Sequence, residues 1–229
     1  MTAEAKEDTS SRPDAPTVRR RTTFGSLRTR NFRLMAAGQL LSNTGWWMQS
    51  TALNWLVLSL TGSPAAMGLT AALVYLPTLL LGMAGGVLAD RYPKRRIVLV
   101  NYAGWASLTA LLAGLTLAGV VQTWQVQVIA AVCGVVTALC YPAQQAFVSE
   151  LVGRAQLRNA ISITSSVTQL AGLAGPAVGG LLISAVGPGW TFLITAVCYT
   201  APLAALTRIR ANELHALPRA PAARGQLRA

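Results

Sequence analysis

Three long stretches of the 229-residue chain lack any Asp, Glu, Lys, Arg or His: 34–89, 97–149 and 159–207. A helix needs about 20 apolar residues to cross the hydrocarbon core of a bilayer, so each stretch is long enough for two crossings joined by a short turn. Turn signals with Gly and Pro or polar residues lie near the middle of each stretch, at 61–64, 119–123 and 187–189. The pattern predicts an all-α integral membrane bundle of six helices.

The bundle is expected to occupy residues 28–210, with helices at about 34–60, 66–89, 96–119, 124–147, 159–186 and 190–207. The first 27 residues are rich in Thr, Ser, Pro and charge, which predicts a disordered basic cytoplasmic tail over 1–27. Residues 211–229 are expected to form a second cytoplasmic tail or the beginning of a truncated central linker.

The composition and the placement of charge agree with a multi-pass protein of the cell membrane. Hydrophobic residues make up 53% of the chain and charged residues only 11%, against about 25% charged in soluble domains. The net charge of +12 is confined to four clusters that three hairpins would place on one side. Lys and Arg accumulate on the cytoplasmic side, so both termini are expected there. The clusters flank apolar spans without interleaved aromatics, which argues against nucleic acid and leaves the lipid bilayer as the partner.

Polar residues at membrane depth recur at helical spacing in predicted helices 1, 4 and 5. The polar stripe of helix 1 consists of Gln39, Asn43, Trp46, Ser50 and Asn54. Such residues either hydrogen-bond neighbouring helices or face a cavity, and three stripes together favour a cavity for a small-molecule substrate. Helix 3 beyond Asn101 and helix 6 are poorer in polar groups and are expected to face lipid. The predicted substrate path consists of Gln39, Asn43, Trp46, Asn54, Tyr141, Gln144 and Gln169.

Catalytic, metal and cofactor sites are not expected in this chain. The three cysteines lie inside predicted helices, where small apolar packing is their common role, and no further metal ligands accompany them. The single histidine, His215, lies in the predicted tail. An intramembrane enzyme would need a catalytic constellation at membrane depth, so an enzyme is the least favoured function class.

Small residues spaced four apart occur twice, as Gly82 with Gly86 and as Gly175 with Gly179. This spacing lets helix backbones approach closely. Proline residues within the predicted helices remove a backbone donor and bend the helix. They are Pro77, Pro142, Pro176 and Pro202.

The segment between predicted helices 2 and 3 resembles the loop signature G-x-L-A-D-R-x-G-R-K/R of the major facilitator superfamily. The matching residues are Gly86, Leu88, Ala89, Asp90, Arg91, Lys94 and Arg95. Pro93 stands where the signature has its second glycine. The resemblance implies secondary transport by alternating access. Gly86, Asp90, Arg91, Lys94 and Arg95 would then form a conformational gate that holds the cytoplasmic ends of two halves together.

A second resemblance lies in predicted helix 5. The segment 172–180 is similar to the G-P-x-x-G-G element of exporters in that superfamily, with Gly175, Pro176, Gly179 and Gly180 as the matching residues. Other stretches resemble the branch that contains enterobactin exporters and drug pumps. The element would set how closely helix 5 approaches the other half.

Members of this superfamily have twelve helices in two halves, with the substrate site between them. The chain therefore resembles the N-terminal half. A truncated product, a half that pairs with a second polypeptide and a homodimer all remain open. No acid lies inside the predicted helices. Proton coupling would rest on Glu150 or on the other half, although Glu150 could instead pair with Arg154 or Arg158.

Overall fold

The computed structural model describes the backbone of residues 30–208, and the side chains there except at 30–32, 148–157, 160 and 208. Within this range the chain is all-α. The helices are α1 (Arg30–Thr61), α2 (Pro64–Arg91), α3 (Lys94–Leu117) and α4 (Thr123–Arg208). The predicted tails 1–27 and 211–229 lie outside the described residues.

Glycines with a left-handed backbone mark three places where the chain turns. They are Gly62 with φ of 62°, Gly119 with φ of 71° and Gly187 with φ of 84°. Glycine adopts this conformation readily because it lacks a Cβ. Each glycine lies within one of the three turn signals found in the sequence.

Gly187 lies inside α4, where a left-handed residue does not fit a continuous α-helix. The 86-residue element is therefore described in three parts, separated at 148–160 and at the turn around Gly187. These parts are called α4a (123–147), α4b (161–186) and α4c (190–207).

The second part, α4b, runs in the same direction as α1. The side-chain amide of Asn43 bonds to Thr168. Further along both helices, a Cβ on Gly179 would meet the backbone of Met48. Later residues of α1 thus contact later residues of α4b, as expected for parallel helices.

The third part, α4c, runs opposite to α1. A Cβ on Gly38 would meet the backbone of Pro202, and a Cβ on Gly45 would meet Cys198. Here the partner number falls as the position on α1 rises. The chain direction therefore reverses between α4b and α4c, at the left-handed Gly187.

The first part, α4a, runs opposite to α3. Tyr102 is bonded by Gln144, and Trp105, one turn further along α3, bonds to Thr137. The helices α1, α2 and α3 alternate in direction because short turns join them. The direction of α4 therefore also reverses between α4a and α4b.

Four helical segments are long and apolar enough to cross a membrane: Pro64–Arg91, Lys94–Leu117, Thr123–Phe147 and Ile161–Thr207. The last contains 47 residues, enough for the two antiparallel segments α4b and α4c. With its 32 residues α1 is about 48 Å long, which exceeds the thickness of the hydrocarbon core. Its polar stripe makes α1 less apolar than the four segments above. The fold is the all-α membrane bundle that the charge pattern predicts.

The core lies between α1, α3, α4a and α4c. Fully buried Leu112 of α3, Phe147 of α4a and Phe192 of α4c belong to one apolar cluster. The prediction that helices 3 and 6 face mainly lipid is wrong. In the most apolar stretch of α3, 44% of the residues are buried inside the chain, against 6% in α2. Apolar residues are favoured both where a helix packs against another helix and where it faces lipid. The apolar composition of α3 and α4c therefore did not show which of the two they contact.

The closest approach of α2 to α4a involves Gly85 and Gly134. A Cβ on Gly85 would meet the carbonyl oxygen of Ala138, and one on Gly134 would meet the backbone of Val74. By contrast, a Cβ on Gly82 or on Gly86 would meet nothing within 4 Å. Within the described chain, the close packing of α2 against α4a therefore uses Gly85, a position that the spacing of Gly82 and Gly86 did not indicate.

Candidate functional site

A cavity of about 60 Å³ lies between α1, α2 and α3. Its wall on α1 is formed by successive turns of the polar stripe, which presents Trp46, Ser50 and Asn54 on one side. Tyr75 of α2 and Trp105 of α3 close the other sides. The lining is aromatic and uncharged, with hydroxyl and amide groups as its polar atoms. We call this space the inner cavity.

Aromatic rings are packed edge to face at the inner cavity. The ring of Trp46 lies 4.8 Å from that of Trp47 at an interplanar angle of 83°. It lies 6.5 Å from the ring of Tyr75 at an angle of 72°. These are favoured aromatic geometries, and they fix the indole of Trp46 between α1 and α2.

Two buried polar side chains join α1 to α3 beside the inner cavity. The hydroxyl of Thr109 donates a hydrogen bond of 2.9 Å to Oε1 of Gln49. Both residues are buried, and Gln49 also lines the cavity. A buried amide needs such a partner because an unpaired polar group in an apolar setting is unfavourable.

The structure brings together only part of the predicted substrate path. Trp46 and Asn54 line the inner cavity. Asn43 lies one turn before Trp46, and its Nδ2 donates to the Thr168 hydroxyl at 3.3 Å. Gln39 is buried. These four residues follow α1 through the bundle.

The other three residues of the predicted path lie apart from the inner cavity. Nε2 of Gln144 donates to the hydroxyl of Tyr102 at 2.8 Å, so this amide joins α4a to α3. Tyr141 is half exposed and accepts a hydrogen bond from Gln145 on its own helix. Gln169 is exposed on α4b. Neither of these residues nor Gln144 lines the inner cavity.

A second and larger cavity lies toward the end of the bundle that bears the left-handed glycine turns. Its volume is about 540 Å³. It is open on one side and is lined by α1, by the beginning of α2 and by α4b. We call it the outer cavity. The lining residues are Thr51, Asn54, Trp55, Leu58, Met67, Gly180, Ile183 and Ser184.

Asn54 lines both cavities. Its side chain is half-buried and makes no hydrogen bond to any residue that the structure describes. An unsatisfied amide at membrane depth is unfavourable, so a polar group of a ligand or a water molecule would be stabilised there.

The basic loop between α2 and α3 places its residues in two different environments. The side chains of Asp90 and Arg91 are exposed, and those of Lys94 and Arg95 are half-buried. Nη2 of Arg95 donates to the backbone carbonyl oxygen of Leu206 at 2.6 Å. A cation near the last carbonyls of a helix is stabilised by the helix dipole. Arg95 therefore binds the end of α4c within this chain.

The Gly-Pro element of α4b faces α1 and the outer cavity. A Cβ on Gly175 would meet Trp47, and one on Gly179 would meet Met48. The close approach that these glycines permit is therefore to α1 of this chain. Pro176 lies between them inside the helix. Gly180 lines the outer cavity, and a Cβ there would meet nothing within 4 Å.

Of the three residues predicted for coupling or ion pairing, the structure describes the side chain of Arg158. The side chains of Glu150 and Arg154 lie outside the described part of the structure. Arg158 is exposed. Within that described part, no three His, Cys, Asp or Glu side chains come together as a metal site would require.

Sequence reasoning missed Gln49, Tyr75 and Thr109 at the inner cavity. Gln49 follows Trp46 by three residues, so the helical period of the stripe could have included it. Thr109 belongs to no polar stripe that recurs along α3 and carried no comparable signal. Tyr75 lies in a mostly apolar helix, and only its position against Trp46 reveals its role.

Uncharged polar and aromatic side chains around cavities, inside a bundle of membrane-crossing helices, are typical of membrane transport proteins. The chain belongs to the transmembrane secretion effector family of the major facilitator superfamily. The model of that family matches residues 21–224. The chain is accordingly a multi-pass protein of the plasma membrane.

Three curated relatives illustrate the family. An uncharacterised major facilitator-type transporter of Bacillus subtilis is 31% identical over 71% of this chain and 38% of its own length. The staphyloferrin A transporter of Staphylococcus aureus is 29% identical over 68% of this chain and 39% of its own length. The multidrug efflux pump Tap of Mycobacterium tuberculosis is 26% identical over 77% of this chain and 43% of its own length.

The matched region covers well under half of each of these relatives, from 38% to 43% of their lengths. The family is therefore established for the chain, whereas the relatives' own activities involve a larger protein.

Proposed function

We propose that this chain forms one six-helix half of an exporter. The exporter would move a small amphipathic molecule, a drug or a siderophore, out of the cell by alternating access. The observation that carries the proposal is the polar and aromatic wall of α1, where Trp46 lines the inner cavity, Trp55 lines the outer cavity and Asn54 lines both. An apolar and aromatic lining with a few polar groups is typical of sites for small organic ligands.

The chemistry of the lining indicates the kind of substrate. No charged residue lines either cavity in the described part of the chain. Burying an unpaired charge there would be highly unfavourable, whereas an aromatic body can stack on Trp46 and a polar group can bond to Asn54. The substrate is therefore neutral or carries its charge outside these cavities.

Alternating access would use the bends and close contacts of the bundle. Pro77 lies inside α2 and Pro176 inside α4b, and each removes a backbone hydrogen bond. The loop with Asp90 and Arg91 is exposed at the end of α2, where it can contact a second half in one state and release it in the other. The proposal includes the roles given above to individual residues in the substrate path, in the gate and in coupling.

A second six-helix unit is proposed as the partner. The described side chains of α2 are mostly exposed, and only 6% of its most apolar stretch is buried. A second half would cover part of this helix and lipid the remainder. The unit could be further sequence, another polypeptide or a second copy of this chain. Both termini are proposed to be cytoplasmic, since three hairpins would place the basic clusters on one side of the membrane, where Lys and Arg accumulate.

The second candidate function is a non-transporting subunit that binds a full-length relative. The same exposed α2 surface favours it. A proton-coupled transporter needs an acid that binds and releases the proton, whereas a non-transporting subunit does not. No acid lies within the predicted helices of this chain. In a transporter, Glu150 or an acid of the second half would have to carry the proton.

The experiment is efflux of the neutral dye Nile red from cells that produce the chain, alone or with a second six-helix half. We expect retention of the dye to fall in cells with an active assembly and to return to the empty-cell level with Asp90→Asn. The matched control is Arg96→Gln, a charge change in the same loop outside the signature positions. Equal efflux from all cells, including those without the chain, would contradict transport. Crosslinking of purified chain would then separate a subunit from a monomer.

A further inference from the structure

The two cavities differ in what they can hold. At about 60 Å³, the inner cavity has room for a few water molecules and is far smaller than a site for a drug-sized molecule. At about 540 Å³, the outer cavity falls within the range of about 300–1,000 Å³ that is typical of small-molecule sites. Of these two cavities of the described residues, the outer one is the one with room for a drug-sized molecule.

The polar groups of the outer cavity leave one amide available for recognition. The hydroxyl of Thr51 donates to the carbonyl oxygen of Trp47 at 3.0 Å, and that of Ser184 donates to Leu181 at 2.9 Å. Both hydroxyls thus donate to a backbone carbonyl oxygen of their own helix. Asn54 has no such partner among the described residues, so its amide is the group that can bind a ligand.

The walls of the outer cavity favour an aromatic, uncharged ligand. The Trp55 ring is 55% exposed and offers a stacking surface. Gly180 leaves open space where any other residue would place a side chain. None of the lining residues is ionisable.

We propose that the outer cavity is a binding site for a neutral molecule with an aromatic body and a hydrogen-bonding group, held by Asn54 and Trp55. The site deepens the proposed export function and rests on it for its role, as the place that a substrate occupies after it has passed Asn54 from the inner cavity. The binding itself needs no transport and can be measured separately.

Photolabelling with benzophenone tests the site directly. Benzophenone is neutral and aromatic, it carries one carbonyl acceptor, and on irradiation it reacts readily with methionine. Met67 lines the outer cavity, whereas Met83 is 89% exposed on α2 and reports probe dissolved in the bilayer. The purified chain is labelled in phosphatidylethanolamine and phosphatidylglycerol vesicles, and both methionines are quantified by mass spectrometry.

We expect labelling of Met67 to saturate with probe concentration and to be competed by diphenylmethanol, while labelling of Met83 rises linearly. The anion diphenylacetate should compete poorly because the cavity has no cationic partner. Gly180→Phe fills the open space and should lower Met67 labelling at least about tenfold, a change of about 1.4 kcal/mol in binding. Gly114→Phe is the matched control, since a Cβ at Gly114 also meets nothing within 4 Å.

Met67 labelling that rises linearly, resists diphenylmethanol and is unchanged by Gly180→Phe would overturn the proposal and assign the cavity to lipid chains. The competition experiment on the unmodified chain decides the matter even if Gly180→Phe does not fold. Saturable labelling without dye efflux would retain the site and reject transport. Dye efflux without saturable labelling would retain transport and reject the outer cavity as a binding site.

Discussion

Nη2 of Arg95 and the carbonyl oxygen of Leu206 are 2.6 Å apart, so the beginning of α3 is bonded to the end of α4c. The resemblance to the superfamily loop placed Arg95 with Asp90 in a gate between halves. Within the described chain, the bond joins Arg95 to the last helix, α4c. Of the loop residues, Asp90 and Arg91 remain exposed at this end of the bundle.

The first prediction concerns this bond. Arg95→Gln should destabilise the bundle by about 1.5–3 kcal/mol, the usual contribution of a hydrogen bond to a charged group. Thermal unfolding in detergent measures the change. Arg96→Gln, which removes an exposed charge one residue away, should stay within about 0.5 kcal/mol of the original chain. Equal destabilisation by both substitutions would show that the bond to Leu206 contributes nothing specific.

The second prediction concerns the close approach of α2 to α4a. Gly85→Ala places a Cβ against the carbonyl oxygen of Ala138, and such overpacking should destabilise by about 1–3 kcal/mol. Gly82→Ala meets no neighbour and should be neutral or stabilising by up to about 1 kcal/mol, because alanine favours helix. The same unfolding measurement applies. A stability loss for Gly82→Ala comparable to that for Gly85→Ala would reject the described packing.

The third prediction concerns the buried pair Gln49 and Thr109. A double-mutant cycle with Gln49→Leu and Thr109→Val should give a coupling of about 0.6 kcal/mol, up to about 1.7 kcal/mol, as for hydrogen bonds between membrane helices. Equilibrium unfolding of the four proteins supplies the free energies. Strictly additive effects would mean that the two side chains do not interact.

The fourth prediction concerns the indole at the inner cavity. Trp46→Ala should reduce Nile red efflux by the active assembly about threefold to tenfold, since an aromatic contact contributes about 0.5–1.5 kcal/mol. Trp124→Ala removes an indole that is 59% exposed at an outer turn and should leave efflux unchanged once expression is matched. Loss of efflux from Trp124→Ala alone would move the substrate path away from α1.

The outline of the fold was predictable because two strong physical signals coincide in this chain. A charge within the bilayer is unfavourable, so charge-free stretches define where helices lie. A left-handed turn favours glycine, so Gly62, Gly119 and Gly187 mark where the chain turns. Neither signal depends on knowing which helices are neighbours.

The packing of the helices was less predictable because lipid and protein present similar surfaces to an apolar helix. The burial of α3 depends on Trp105 and Thr109, which a hydropathy pattern does not separate from lipid-facing residues. The choice of Gly85 over Gly82 and Gly86 depends on where α4a crosses α2. The polar stripe of α1 was identifiable, but the sequence did not indicate that Gln144 would bond to Tyr102 instead of lining a cavity.

The central claim is that Asn54 lies on a path that opens alternately to the two sides of the membrane. Asn54→Cys, in a chain whose three cysteines are replaced by alanine, can be labelled with a membrane-impermeant maleimide from either side of vesicles that contain the complete assembly. We predict labelling from both sides, with benzophenone changing the two rates in opposite directions. Labelling from one side only, or two rates that benzophenone leaves unchanged, would contradict the account.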